Sequence, residues 1–421
     1  MPIRSIPTTT VASVFHALLL LVLFQPLYTA AQEKGVHFEH ALSWADVKAK
    51  AKAANKYIFV DCYTTWCGPC MYMRTVVFPQ EEMGTYLNDK FINVELQLDS
   101  TAKDDDYVKS WYADAHDFIT QYKFTVYPTY LIFTPEGHVL HRFVGASTRN
   151  QYFYNDVNAA FDTTQQYYPQ LEQFEKGRRD TAFLRRLTEQ ALKIYQTTDG
   201  KKVAAVYLAG QTNLLQPGPI RIIDLLTTKS TDEYFSFLAQ HINEADQVIG
   251  AGKTAKKIRN IYLQEGTGLK KGESSTPDWR SIQKKVATHL PDQAGEIAMR
   301  IKINYYNTKK DWPNFEKAIA PYMKQYAQYM RIDELNNFAW NVFEYCADMT
   351  CVTHILDWSI QLKNSNNSAY MDTYANILYK LGKKDEAMAM EKKAFDMSEG
   401  DERTNYQATL DKMTKGEKNW R

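Results

Sequence analysis

Short apolar runs alternate with polar, helix-forming stretches in the first third of the chain. Four runs rich in β-branched and aromatic residues predict buried strands at 57–60, 91–98, 130–133 and 139–144. Helices are predicted between them and beside them, at 45–54, 71–77, 81–88, 107–122 and 150–161. Ser43 and Asp46 have the spacing of a capping box before the first helix. This order of elements predicts an α/β domain with a mixed sheet over residues 32–165.

The pattern changes after residue 165, where strand signals nearly vanish. Residues 166–298 are predicted to be helical without a clear period, with a loop at 265–277 that is rich in Gly, Ser and Thr. Residues 299–421 are predicted to be helical and repetitive. The predicted fold class is therefore an α/β domain followed by an all-α helical-repeat region.

The repeat is visible as two alignments of the C-terminal region with itself. Residues 336–340 (NNFAW) line up with residues 372–376 (DTYAN) at an offset of 36, and residues 309–311 (KKD) line up with 383–385 (KKD) at an offset of 74. Self-similarity at this period is typical of stacked helical hairpins. The last unit, with Gly382 in its turn, resembles a tetratricopeptide repeat. Such an array predicts a surface that binds a partner protein.

Residues 1–31 have the layout of a secretory signal peptide. Arg4 precedes a short apolar run at 17–24, and Thr29-Ala30-Ala31 supplies small residues for cleavage after Ala31. An uncut membrane anchor is the alternative, and the short apolar run argues against it. No Cys lies near the cleavage site, so a lipid anchor is not expected. We expect an exported protein, most simply a periplasmic one.

Composition narrows the class of protein but not its chemistry. The 421 residues are 44% hydrophobic and 24% charged, as in a soluble globular protein of two or three domains. A formal net charge of +1 gives no reason to expect nucleic acid as a partner.

Cys67 and Cys70 are separated by two residues at the point where a strand meets a helix. Disulfide exchange needs an exposed thiolate and a nearby thiol that resolves the mixed disulfide. A helix N-terminus favours negative charge, so Cys67 is the expected attacking thiolate and Cys70 the resolving thiol. Pro69 suits an early helical position because it has no N–H to leave unpaired.

Metal binding is the competing interpretation of these residues. Zinc needs four ligands, and no second cysteine or histidine pair lies nearby, because Cys346 and Cys351 belong to the other domain. Asp104-Asp105-Asp106 with His116 has no ligand spacing and is interpreted as a solvated acidic run. We expect a redox-active disulfide, with no metal and no cofactor.

Residues 60–70 (VDCYTTWCGPC) resemble the active-site segment of the thioredoxin family, and the resemblance covers about residues 35–165. It implies a thioredoxin fold in which Asp61 is a buried acid that moves the proton of the resolving cysteine through water. It also implies a cis-proline loop at Tyr127-Pro128 and a glycine, Gly145, beside the substrate chain. Trp66, Gly68 and Pro69 complete the predicted substrate-binding surface.

Two features depart from ordinary thioredoxin. Glu95 stands where thioredoxin has a Lys near the buried acid, which should alter the pKa values of the Asp61 and Cys70 pair. The polar stretch after Asp99 is longer than in thioredoxin and is expected to border the substrate groove. Residues 76–91 are closer to the branch that includes exported thiol:disulfide interchange domains.

The other three cysteines are interpreted as structural residues. Cys62 follows Asp61 on the strand, so its side chain should point to the opposite face and be a buried, inert thiol. Cys346 and Cys351 flank a predicted turn, and their spacing permits a local structural disulfide without requiring one.

Two functions from different classes follow. The first is a thiol:disulfide oxidoreductase that acts on cysteine-containing protein substrates, in the reducing direction because Cys-Gly-Pro-Cys is associated with reducing family members. It needs an electron donor, for which a membrane thiol-transfer protein is expected. The second is a partner-binding helical-repeat protein whose dithiol domain is a sensing or docking module.

Overall fold

The computed structural model describes residues 34–269 and 275–421. The predicted signal peptide at 1–31 lies outside the described residues. The chain divides into two compact units, one ending at Gly210 and the other running from Gln211 to Arg421. The boundaries at 165 and 298 stay predictions about the sequence.

A four-stranded mixed sheet organises the first unit. Its strands are β1 (Tyr57–Tyr63), β2 (Phe91–Gln97), β3 (Thr129–Phe133) and β4 (Val139–Val144), in the order β2-β1-β3-β4. β1 is parallel to β2 and antiparallel to β3, and β3 and β4 form a hairpin. The predicted strands and the mixed sheet are confirmed.

Helices on both faces of this sheet form the rest of the first unit. Their bounds are α1 Trp44–Ala54, α2 Gly68–Tyr72, α3 Glu81–Lys90, α4 Asp106–Ser110, α5 Tyr112–Tyr122, α6 Asn150–Asn158, α7 Tyr167–Glu175, α8 Thr181–Lys193 and α9 Thr197–Ala209. The Ser43 capping box is present, with Asp46 as its acidic partner. α2 continues into a π-helical turn, Met73–Val77, which the sequence pattern did not predict.

The alternation of side chains along β1 builds two separate apolar layers. Phe59 packs in the layer that contains Tyr130 and Phe153. Val60 and Cys62 pack in the layer on the other face. The side chain of Asp61 therefore lies on the same face of the sheet as that of Phe59, and the side chain of Cys62 lies on the opposite face.

Helices α7 to α9 belong to the first unit and reach the loop that precedes β3. The Thr125 hydroxyl donates to the carbonyl oxygen of Tyr195, and the Gln196 side-chain amide donates to the carbonyl oxygen of Lys123, both at 3.5 Å. Part of the helical sequence therefore supports the active-site side of the α/β domain.

The described residues of the second unit are helical. The bounds are α10 Pro217–Leu226, α11 Phe235–Gln240, α12 Ile242–Ile249, α13 Lys253–Glu265, α14 Trp279–Ala287, α15 Ala294–Lys309, α16 Trp312–Tyr326, α17 Ile332–Tyr345, α18 Met349–Trp358, α19 Ile360–Lys363, α20 Ser368–Lys380, α21 Lys384–Met397 and α22 Gly400–Lys415. Within 34–269 and 275–421, no helix is long and apolar enough to cross a membrane.

Two helices of this unit start with the spacing seen in the sequence. α17 begins at residue 332 and α20 at residue 368, which is the offset of 36. Gly382 lies in the turn between α20 and α21 with φ +79°, a conformation that favours glycine. The helical character is thus confirmed, and the tetratricopeptide-like assignment stays a prediction.

Candidate active site

Cys67 and Cys70 lie at the junction of β1 and α2 and are joined as a disulfide. Cys67 is the N-cap residue of α2, and its sulfur accepts the backbone N–H of Cys70 at 3.1 Å. Pro69 lies in the first turn, where it leaves no N–H unpaired. The unpaired N–H groups and the helix dipole favour a thiolate on Cys67 once the disulfide is reduced.

The exposure of the two sulfurs differs from the expectation. Cys67 is only 4% exposed and Cys70 is 3% exposed. The prediction that Cys67 is exposed is therefore wrong for the disulfide form. The flanking residues carry the accessible surface instead, with Trp66 72% exposed and Gly68 and Pro69 also exposed. The two cysteines are distinguished by their helix positions rather than by their exposure.

The second wall of the site is the loop before β3. The Tyr127–Pro128 peptide bond is cis, as the resemblance implied. Tyr127 packs against the cluster of Tyr63, Cys67 and Cys70, and its ring meets Trp66 edge-to-face at 5.7 Å. The structure therefore brings this loop against the dithiol.

Gly145 follows β4 directly and is tied to the same loop. Its N–H donates to the carbonyl oxygen of Pro128 at 2.9 Å. Its φ is +95°, and no heavy atom lies within 4 Å of the place where a Cβ would stand. A side chain is disfavoured here by the backbone, and the space beside the loop stays open.

Asp61 is buried, with 2% exposure, and its Oδ1 has no hydrogen-bond partner among the described residues. Its register partner on β2 is Glu95. Glu95 forms an ion pair with Arg74 at 3.1 Å. Burial raises the pKa of Asp61 well above its usual range, the negative charge of Glu95 raises this pKa further, and Arg74 partly opposes the shift.

A small polar cavity of about 80 Å³ adjoins Glu95 and Arg74. It is also lined by His40, Tyr63 and Gln97. Such a volume holds a few water molecules when polar partners line it. Burial also raises the pKa of Glu95, and Arg74 lowers it. The cavity thus adjoins Glu95, the register partner of Asp61.

Two contacts around the dithiol were not predicted as site features. Asp99 accepts the backbone N–H of Thr65 at 3.0 Å and its hydroxyl at 2.5 Å, so the start of the polar insertion holds the loop just before Cys67. Arg74 also lies over the ring of Tyr63, at 5.3 Å. In the sequence, Asp99 marks only the start of the insertion. The pairing of Arg74 with Glu95 could not be predicted, because it depends on how the helix that follows Cys70 packs against β2.

The remaining predicted residues divide into one agreement and one correction. Cys62 is fully buried and free in the opposite layer, and burial raises the pKa of its thiol. Asp104 is not part of a solvated run, because it is buried and accepts hydrogen bonds from Thr101, Tyr112 and Gln97. Among the described residues, no group of three or more His, Cys, Asp and Glu is arranged to hold a metal ion.

Comparisons with known proteins agree with this geometry. A family model described as thioredoxin-like matches residues 40–135.

The chain contains a thioredoxin-like domain.

Relatives match about a quarter of the chain. Thioredoxin Y, chloroplastic, of Oryza sativa subsp. japonica is 31% identical over 98 residues, which are 23% of this chain and 48% of that protein. A thioredoxin-like protein of Synechocystis is 28% identical over 96 residues, or 23% of this chain and 74% of that protein. The chain thus spans about half the length of the chloroplastic relatives that it matches.

Among solved structures, the solution structure of a proposed disulphide-isomerase from Bacteroides thetaiotaomicron is similar to about a third of the chain. It is 28% identical, with a TM-score of 0.26, and covers 32% of this chain and 98% of that one. The DsbH oxidoreductase is 19% identical, also with a TM-score of 0.26, and covers 31% of this chain and 86% of that one.

Proposed function

We propose that the protein is an exported thiol:disulfide oxidoreductase that reduces disulfides in other proteins through Cys67 and Cys70. The observation that carries the proposal is the N-cap position of Cys67 beside the cis-proline loop of Tyr127 and Pro128. An N-cap sulfur favours the thiolate, and the adjacent loop and the exposed Trp66 offer a surface for a client chain.

In the reaction, the Cys67 thiolate attacks one sulfur of the client disulfide, and the other client sulfur leaves as a thiolate that takes up a proton. Cys70 then loses its proton and attacks the Cys67 sulfur of the mixed disulfide, which releases the second client thiol. The products are a client dithiol and the Cys67–Cys70 disulfide.

Asp61 is the group that we assign to the proton of Cys70. Its burial and its raised pKa make it a weaker acid than an exposed Asp, so it is suited to hold a proton and to release it. The polar cavity beside Glu95 has room for the water molecules through which we propose that this proton passes.

Export and the electron donor complete the proposal. The signal-peptide pattern at 1–31 supports a periplasmic location. A reductase must be re-reduced after every turnover, and outside the cytoplasm a membrane thiol-transfer protein is the donor that we propose. The helical unit is proposed to recruit a partner or client protein, since helical arrays usually bind chains.

Insulin reduction with dithiothreitol as the donor tests the chemistry. We expect the wild type to accelerate reduction and Cys67→Ser to return it to the uncatalysed rate. Cys62→Ser is the matched control, because Cys62 is a buried thiol in the opposite layer, and it should retain activity. Equal rates for wild type and Cys67→Ser would overturn the enzyme proposal and favour the partner-binding function.

A further inference from the structure

A second pair of cysteines lies in the second unit, in the turn that joins α17 to α18. Cys346 is the residue that follows α17, and Cys351 lies in the first turn of α18. Both are free, buried thiols in the structure, and a side-chain hydrogen bond between them shifts the pKa of each. Of the two alternatives that the spacing left open, the structure therefore has the reduced pair.

The hydrogen bond within the pair favours a thiolate on Cys346. This bond from Cys351 is the largest cause that lowers the pKa of Cys346; burial opposes the shift, and the charge of Lys380 adds to it. The same contact raises the pKa of Cys351. The thiol of Cys346 also lies 3.7 Å from the carbonyl oxygen of Asp348, to which it donates when protonated.

Lys380 reaches this site from α20 and is itself buried, with 8% exposure. Its ammonium donates to the carbonyl oxygen of Phe343, at the end of α17. Burial lowers the pKa of Lys380, and the charge of its ammonium lowers the pKa of Cys346. The pair is thus a nucleophile and a neighbouring thiol, held by three helices.

Access to the pair depends on a short segment of the chain. Cys346 and Cys351 are 1% and 3% exposed, but residues 347–350, which connect them, are all exposed. Turns at the surface open at low free energy compared with the core of a domain. A small disulfide can therefore reach the sulfurs without unfolding the unit. Cys62 lies on the strand between β2 and β3, so local opening of a surface turn does not make it accessible.

We propose that Cys346 and Cys351 form a second redox-active pair, which a low-molecular-weight disulfide such as oxidised glutathione converts reversibly into an intramolecular disulfide. The Cys346 thiolate attacks one glutathione sulfur, and the other glutathione leaves as a thiolate that takes up a proton. Cys351 loses its proton to solvent and attacks the Cys346 sulfur, which releases the second glutathione. Two thiols are oxidised and one glutathione disulfide is reduced to two glutathiones.

The wild-type chain tests this directly, because trypsin separates the two redox sites. Cleavage after Arg331 and Lys363 gives one peptide with Cys346 and Cys351, and cleavage after Lys56 and Arg74 gives another with Cys62, Cys67 and Cys70. The protein is equilibrated in glutathione buffers, quenched with acid, labelled with N-ethylmaleimide and analysed by mass spectrometry.

We expect the 332–363 peptide to lose both labels and two hydrogen atoms in oxidising buffer, while Cys62 stays labelled. Under native conditions, the reduced protein should react with iodoacetamide at Cys346 about tenfold faster, or more, than at Cys62. A 332–363 peptide that stays fully labelled in the buffer that oxidises Cys67 and Cys70 would overturn the proposal. So would glutathione bound to Cys346 without ring closure.

Cys351→Ser separates attack from resolution. The variant lacks the resolving thiol, so one glutathione should stay on Cys346 in oxidising buffer. Absence of that adduct would contradict the assignment of Cys346 as the attacking sulfur. The wild-type measurement decides the proposal by itself if this variant does not fold.

Discussion

Replacing Glu95 by Gln tests whether two carboxyl groups really face each other across β1 and β2. Asp61 and Glu95 are register partners on parallel strands, and neighbouring strands lie about 5 Å apart. At about 6 Å between charges and an effective dielectric constant of about 20, two negative charges repel by about 3 kcal/mol. Arg74, at 3.1 Å from Glu95, offsets part of this repulsion, so we expect a net effect of about 1–2 kcal/mol.

The effect appears as a change in the pH dependence of stability. A carboxyl whose pKa is raised on folding stabilises the fold fully below its unfolded pKa, and that stabilisation is lost as pH rises through the folded-state pKa. Asp61 is such a group, so the free energy of unfolding of the sheet should fall from acidic to alkaline pH. Glu95→Gln removes one of the causes and should make this fall smaller by about 1–2 kcal/mol.

Hydrogen exchange measured by mass spectrometry on the β1 and β2 peptides of the oxidised protein, at pH 5 and pH 8, provides the assay. After correction for intrinsic rates, the change in opening equilibrium between the two pH values should be about 5- to 30-fold smaller in Glu95→Gln than in the wild type. Asp89→Asn is the control, because that carboxylate is exposed just before β2. An unchanged or steeper pH dependence in Glu95→Gln would refute the reasoning.

Three further predictions concern packing, a buried acid pair and the client surface. Gly84→Ala should destabilise the first unit by about 1–3 kcal/mol in urea unfolding, because the added Cβ would overlap the carbonyl oxygen of Gly35. Burial raises the pKa of Asp372 and of Glu391, so hydrogen exchange of α20 and α21 should show stability lost as the pH rises above about 4, and Glu391→Gln should reduce that loss. Trp66→Ala should leave the melting temperature unchanged while insulin reduction slows and reduction of a small disulfide does not, since the ring is 72% exposed.

Local patterns were sufficient for most elements of the first unit. The strand at 139–144 and the Ser43 cap depend on neighbouring residues, so they can be predicted from short segments of sequence. The π-helical turn depends on one backbone register, in which the N–H of Phe78 donates to the carbonyl oxygen of Met73, and no composition signal marks it. The cis bond before Pro128 came from the resemblance, because proline alone is usually trans.

The reactive residues of the site could be predicted from the sequence, but the packing around them could not. The spacing of Cys67 and Cys70 and the placement of Asp61 follow from the motif, whereas the burial of Cys67 depends on packing of Tyr63 and Tyr127 from other segments. The spacing of Cys346 and Cys351 left two states open, because a separation of five residues allows both.

Trapping of the mixed disulfide tests the central claim most directly, namely that Cys67 attacks and Cys70 resolves. A reduced Cys70→Ser variant is mixed with native, disulfide-bonded insulin. The mixture is quenched with acid and analysed by peptide mass spectrometry. The account predicts a covalent insulin adduct on Cys67 that is released by dithiothreitol, and much less adduct in the wild type, where Cys70 resolves it. An equal yield of adduct in both proteins, or none in Cys70→Ser, would contradict the account.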